Sequence, residues 1–193
     1  MEKKFGDKFR IKSGRLKNWD YSSPGIYFVT ICTLNHNNFL GEINNGVVIL
    51  SEKGLIVEEN LRKISAIYPF VLIDKYVVMP NHVHLLINIT MHKQVETCHW
   101  RVSTEKLLSQ KKIGQNNKAG EAIKYWKGNS LGSIINQFKM SCTKEIRKLG
   151  LFFAWQSRYF DEIVGDEKRY WQIINYIKNI PKDWGEDKLF RNE

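Results

Sequence analysis

Met79-Pro80-Asn81-His82-Val83-His84-Leu85-Leu86-Ile87 is the stretch that decides how this chain is read. It follows an extended, β-rich run from Phe70 to Met79 and opens another apolar run that continues to Ile89. In a β-strand, side chains two apart share a face. His82 and His84 therefore project together, and Val83, Leu85 and Ile87 line the opposite face. Two imidazoles side by side on a rigid strand begin a divalent-metal site. The pattern alone is weak, because a His-x-His pair also arises by chance with each ring simply hydrogen-bonded. The rest of the chain has to supply a nucleophile and a third ligand.

Working outward on the N-terminal side, Ile26 to Leu34 is rich in β-branched and aromatic residues and reads as a first, buried strand. Phe39 to Ile43 and Val47 to Leu50 flank Asn44-Asn45-Gly46, a hairpin signal. Ser51 is a helix N-cap, and the helix it starts ends before Pro69. On the C-terminal side, Thr90 to Asn129 shows no sustained apolar period and reads as a long insertion, with His92 and His99 as loop residues. Leu131 to Leu149 resumes a helical pattern that Gly150 stops. An irregular piece at Phe152 to Trp155 and a last strand at Arg158 to Val164 follow. A final helix begins near Asp166 and runs to about Ile180, where Pro181 ends it. Hairpins early and helices between later strands predict an α+β sandwich, an antiparallel sheet with helices packed on one face. The divisions are a basic tail at 1–18, one domain over 19–184 with its insertion at about 90–129, and a C-terminal tail at 185–193.

Composition bounds the partner. The chain has 193 residues, 42% of them hydrophobic, enough for an ordinary core. Basic residues exceed acidic ones by ten, which favours a polyanion. The three cysteines, Cys32, Cys98 and Cys142, form no CxxC pair and suggest a reducing cytoplasm. Cys32 and Cys142 lie in apolar patterns and read as small core residues. Neither a signal-peptide core nor a membrane span is expected.

In the final helix, Tyr170, Ile173, Ile174 and Ile177 form the apolar stripe, and Tyr176 falls on its shoulder. A tyrosine there is commonly a packing residue at the rim. Its phenol is also a capable nucleophile when a metal polarises the electrophile.

Taken together, MPNHVHLLI, the GSIINQFKMSCTKEI helix, AWQSRYFDEIV and YWQIINYIKNIPKDW resemble the REP-associated tyrosine transposases, members of the IS200-like single-tyrosine HUH family. The similarity runs from about Trp19 to Trp184 apart from the insertion. It implies a ferredoxin-like fold, His82 and His84 as ligands of a divalent metal (Mg²⁺ or Mn²⁺), and Tyr176 as the nucleophile. The implied reaction is cleavage and rejoining of single-stranded or hairpin DNA through a 5′-phosphotyrosine, by a monomer or homodimer. Arg10, Lys12, Arg15, Lys139, Lys144, Arg147 and Lys148 are candidate phosphate contacts, and Trp100, Tyr125 and Trp126 are candidate stacking platforms for unpaired bases.

Two departures from the family pattern bear on the metal. Relatives carry Asn four residues after the tyrosine, where this chain has Ile180, and His where it has Glu162. Since Ile180 cannot bind a cation, the third ligand is sought at Asn179, Gln172 or Glu162. Ile180 also keeps open a non-catalytic hairpin-DNA-binding protein derived from a transposase. A hydrolytic phosphodiesterase with Tyr176 as a packing residue is a further alternative.

Overall fold

A computed structural model describes residues 19–90, 130–187 and 189–190. Arg10, Lys12, Arg15, His92, Cys98, His99, Trp100, Tyr125 and Trp126 lie outside the described residues, as does nearly all of the segment read as an insertion.

The elements follow the order β1 (Gly25–Cys32), β2 (Gly41–Asn44), β3 (Val47–Leu50), α1 (Glu52–Ile67), β4 (Val71–Val78), β5 (His82–Ile89), α2 (Leu131–Lys148), β6 (Phe160–Ile163) and α3 (Glu167–Asn179). Sheet order is β4-β5-β1-β6, antiparallel throughout, with β2 and β3 as a separate hairpin. Without that hairpin and α3, the chain is a β-α-β-β-α-β ferredoxin-like unit, as the sequence led us to expect.

Local chemistry places the element ends. At the β2–β3 turn, Asn45 (φ 51°) and Gly46 (φ 73°) take the two left-handed positions that a tight hairpin with right-handed twist requires. Ser51 caps α1 by accepting from the Gly54 amide at 3.2 Å. Asp166 does the same for α3 through the Arg169 amide at 2.8 Å. Gly150, at φ 75°, turns the chain out of α2.

Along β1 the apolar residues occupy both parities, so both sheet faces need cover. Tyr27, Val29 and Ile31, with Val83, Leu85, Ile87 and Ile89 of β5, meet α1 through Val57, Leu61 and Ile64, and α2 through Ile134, Ile135, Phe138, Cys142 and Ile146. Ile26, Phe28 and Leu86 point the other way, against Ile173 and Ile177 of α3. The expectation of helices on one face holds for α1 and α2. The last helix covers the opposite face instead, and that is the face onto which His82 and His84 project.

Past α3, the chain continues as a strap. Ile180, 3% exposed, packs with Met79 and Trp184. Trp184 meets Phe190 edge-on, with ring centroids 5.3 Å apart. The Asn81 side chain holds the Leu189 carbonyl at 2.8 Å. Residues read from sequence as a C-terminal tail are thus pinned to the turn that precedes His82.

Among the described residues, no helix is long and apolar enough to cross a membrane. Cys32 and Cys142 are free, Cys142 fully buried in the core and Cys32 half-buried at the end of β1.

Candidate active site

The hairpin joining β4 to β5 sets the position of the site. The Met79 amide donates to the His82 carbonyl at 2.8 Å and closes the Pro80–Asn81 turn. Thr33 fastens that turn to the end of β1, its amide and hydroxyl both donating to the Asn81 carbonyl at 2.9 Å. His82 and His84 then lie side by side, ring centroids 4.4 Å apart, 0% and 3% exposed.

The hydrogen bonds around His82 determine its tautomer. A carbonyl can only accept, so the Asn81 atom facing the Leu189 carbonyl is the amide nitrogen. The Asn81 oxygen therefore faces His82 Nδ1 at 2.8 Å and must receive a proton from it. This leaves Nε2 with a free lone pair, buried, and without a hydrogen-bond partner. An orphaned buried acceptor costs about 1–3 kcal/mol unless something fills the role. A cation is a natural occupant, since ligating histidines characteristically donate their other ring N–H to a fixed acceptor. At His84, Nδ1 lies 2.8 Å from the Thr30 hydroxyl, and Nε2 faces the phenol of Tyr176 at 3.2 Å.

Burial keeps both rings neutral. It depresses His82 from its ordinary 6.5 to about 3, with His36 adding repulsion. His84 is pushed well below its ordinary value by burial, then by His82, while Asp187 pulls the other way. Neutral imidazoles are the form that binds metal.

Tyr176 is 42% exposed, on the flank of α3 that overlooks His84. The two rings stand 5.2 Å apart, and Phe28 stacks on His84, also at 5.2 Å, while meeting Tyr176 edge-on at 6.1 Å. The Tyr176 hydroxyl also donates to Asp187 Oδ2 at 3.2 Å. Its acidity is lowered by burial first and then by the Asp187 charge, so the phenol is protonated at rest. Ligand atoms of His82, His84 and Asp187 lie within 4.8 Å of one another. Two neutral imidazoles and one carboxylate form a donor set that fits a divalent cation.

The other candidates are placed differently. Glu162 points to the same sheet face but is locked in a two-bond pair with Arg169, at 2.6 and 2.8 Å. The Gln172 side chain accepts from the same guanidinium at 3.4 Å. Asn179 is an exposed residue at the end of α3, lining a cleft of about 330 Å³ with Tyr176, Ile180 and Asp187. Glu162 does not join the histidine–carboxylate group. Sequence reasoning missed Asp187, Asn81 and Thr30. The Pro-Asn turn before the histidines was a local signal for Asn81, whereas no sequence pattern marks Asp187.

The basic residues of α2 border a separate open groove of about 1000 Å³ that includes Lys139, Lys144, Arg147 and Lys148. Lys139 donates to the carbonyls of Gln156 (2.5 Å) and Ser157 (3.4 Å) and so steadies that loop. Arg147 reaches the Phe153 carbonyl at 3.4 Å. Lys144, Arg147 and Lys148 are exposed. The groove and the histidines flank opposite sides of the sheet but approach each other at Cys32, whose thiol feels both Lys139 and Asp187.

No family model matches the chain. It is 34% identical over 180 residues to an uncharacterized protein of Haemophilus influenzae, covering 93% of this chain and 92% of the relative. The fold is similar to that of a REP-associated tyrosine transposase solved bound to a REP hairpin, at a TM-score of 0.50 and 17% identity, over 85% of this chain and 70% of that one.

Proposed function

From a chain that belongs to one family with the uncharacterized Haemophilus influenzae protein and has the fold of a REP-associated tyrosine transposase, we infer a tyrosine strand transferase. Its substrate is single-stranded or hairpin DNA, which it cleaves and rejoins in a metal-dependent reaction. One observation carries this reading: the Tyr176 hydroxyl stands 3.2 Å from Nε2 of His84, beside a buried His82 whose own Nε2 has no partner.

His82 and His84 would hold a divalent ion, Mg²⁺ or Mn²⁺, that acts as a Lewis acid on the scissile phosphate and draws off the charge of the transition state. Phe28 and Thr30 fix the His84 ring between them by stacking and hydrogen bonding. Tyr176, on a helix seated by Ile173 and Ile177, is held within reach of the same spot. In the reaction its phenol oxygen attacks phosphorus, the bond to the 3′ oxygen breaks, and the phenol proton leaves on the solvent-open side of the ring. The products are a 5′-phosphotyrosine and a 3′-hydroxyl that has gained a proton. The phosphodiester is exchanged rather than hydrolysed, so a 3′-hydroxyl can attack the phosphotyrosine and reseal the strand without a nucleotide cofactor. Lys144, Arg147 and Lys148 supply phosphate contacts for the flanking DNA, giving an affinity that falls with added salt.

The test is incubation of the protein with end-labelled single-stranded hairpin oligonucleotides and Mn²⁺, followed by a denaturing gel. Wild type should yield a covalent protein–DNA band, and Tyr176→Phe should yield none while still binding DNA. Cleavage without any covalent band would indicate a hydrolytic phosphodiesterase, and an adduct surviving in Tyr176→Phe would move the nucleophile elsewhere.

A further inference from the structure

We propose that Asp187 is the third ligand of this metal centre, delivered by the C-terminal strap rather than by the helix that carries the nucleophile. The inference rests on the metal-dependent reading above and goes beyond it, because the sequence directs attention to the helix. There the residue one turn after Tyr176 is Ile180, which has no donor atom.

The strap is built to present Asp187. Ile180 is buried on Met79 and Trp184, so an apolar residue at that position anchors the start of the strap. Trp184 lies against His82 with ring centroids 5.8 Å apart. Asn81, which sets the tautomer of His82, also grips the Leu189 carbonyl. A single amide thus orients one imidazole and fastens the strap two residues beyond Asp187. Asp187 in turn accepts from the Leu189 amide through Oδ1, at 2.5 Å, which aims Oδ2 towards Tyr176 and His84.

In the form described here, the Tyr176 hydroxyl bonds both His84 Nε2 and Asp187 Oδ2. A ligand role for Asp187 would remove the carboxylate from the phenol. The same residue would then restrain the nucleophile without metal and release it with metal. Asp183 and Glu186 border the same cleft but stand outside the ligand group, so they serve as charge-matched controls.

The experiment measures Mn²⁺ binding by calorimetry and by the electron paramagnetic resonance signal of free Mn²⁺, without DNA. Asp187→Asn should weaken Mn²⁺ binding at least tenfold and abolish the metal-induced rise in Tm, with Asp183→Asn and Glu186→Gln unchanged. The side chain introduced by Asp187→Asn still offers an oxygen to the Leu189 amide, and far-UV circular dichroism checks that the fold is kept. Tyr176→Phe provides a second variant with no burial problem. Freed of the competing hydroxyl, it should bind Mn²⁺ at least as tightly as wild type. If Asp187→Asn binds Mn²⁺ like wild type while His82→Ala/His84→Ala does not bind, Asp187 is not a ligand and the histidine centre stands. If wild type itself fails to bind Mn²⁺, both this inference and the metal-dependent reading fall.

Discussion

The two faces of the central sheet are made from the same strands yet do different work. On one face, Val83, Leu85 and Ile87 of β5 are fully buried beneath α1 and α2, in a continuous apolar cluster. On the other, the alternate residues His82, His84 and Leu86 lie beneath one helix and a strap, and the cover is thin enough to leave Tyr176 partly open. Burial on the first face removes apolar surface from water and stabilises the fold. Burial on the second strips water from two imidazoles and leaves a lone pair without a partner. The first face is built for stability, and the second, on the function proposed above, gives up some stability to hold reactive groups ready.

The largest effect should come from opening the closed face. Leu85 is fully buried, and Leu85→Ala should cost about 3 kcal/mol through lost transfer energy and a residual cavity, lowering Tm by about 10 °C in a domain of this size. Mn²⁺ affinity, measured well below that Tm, should stay at the wild-type value. A variant that remained folded but lost metal affinity would show that the two faces are not separable.

The second effect belongs to the imidazoles and is acid lability in the metal-free protein. Folding depresses His82 from 6.5 to about 3 and depresses His84 as well. Between these limits the unfolded chain takes up protons that the folded chain refuses, so stability falls as pH drops from about 6.5 towards 3 and is flat above about 7. Thermal melts across that range should show the decline in wild type and a shallower one in His82→Gln/His84→Gln. Equal slopes would mean that carboxylates, not the buried rings, govern the acid limb.

The same contrast explains what could be read from sequence. The closed face was legible because it rests on local periodicity: alternation in β5, 3.6-residue spacing in α1 and α2, Ser51 as a cap and Asn45-Gly46 as a turn. Spacing and resemblance pointed to His82, His84 and Tyr176, whose side chains the structure brings together. The position of α3 on the opposite face was overlooked, although Ile26 and Phe28 signalled it by being apolar on the parity that should have been polar. Contacts joining distant parts of the chain could not be read. Thr30 is 54 residues from His84, and Asn81 is 108 from Leu189. Asp187 belongs to this class, in a stretch whose composition resembles a solvated tail. Glu162 drew attention as a departure from a pattern, but Arg169, seven residues on, already satisfies it.

The smallest effect expected is also the most discriminating, because it falls where the open face meets the strap. If the third ligand belonged on α3, Ile180→Asn would restore an amide one turn after Tyr176 and tighten metal binding. The structure argues for the reverse. Ile180 is 3% exposed against Met79 and Trp184, and removing that contact should cost about 2 kcal/mol. The loss would fall on the strap that carries Asp187 more than on the sheet, so Tm should drop less than for Leu85→Ala. Mn²⁺ affinity should nevertheless weaken severalfold, because a loosened strap holds Asp187 less firmly. The two substitutions would then be mirror images, one costing stability without touching the metal and the other costing metal affinity with less stability lost. A gain in Mn²⁺ affinity in folded Ile180→Asn would return the ligand position to the helix and leave Asp187 as a restraint on Tyr176 alone.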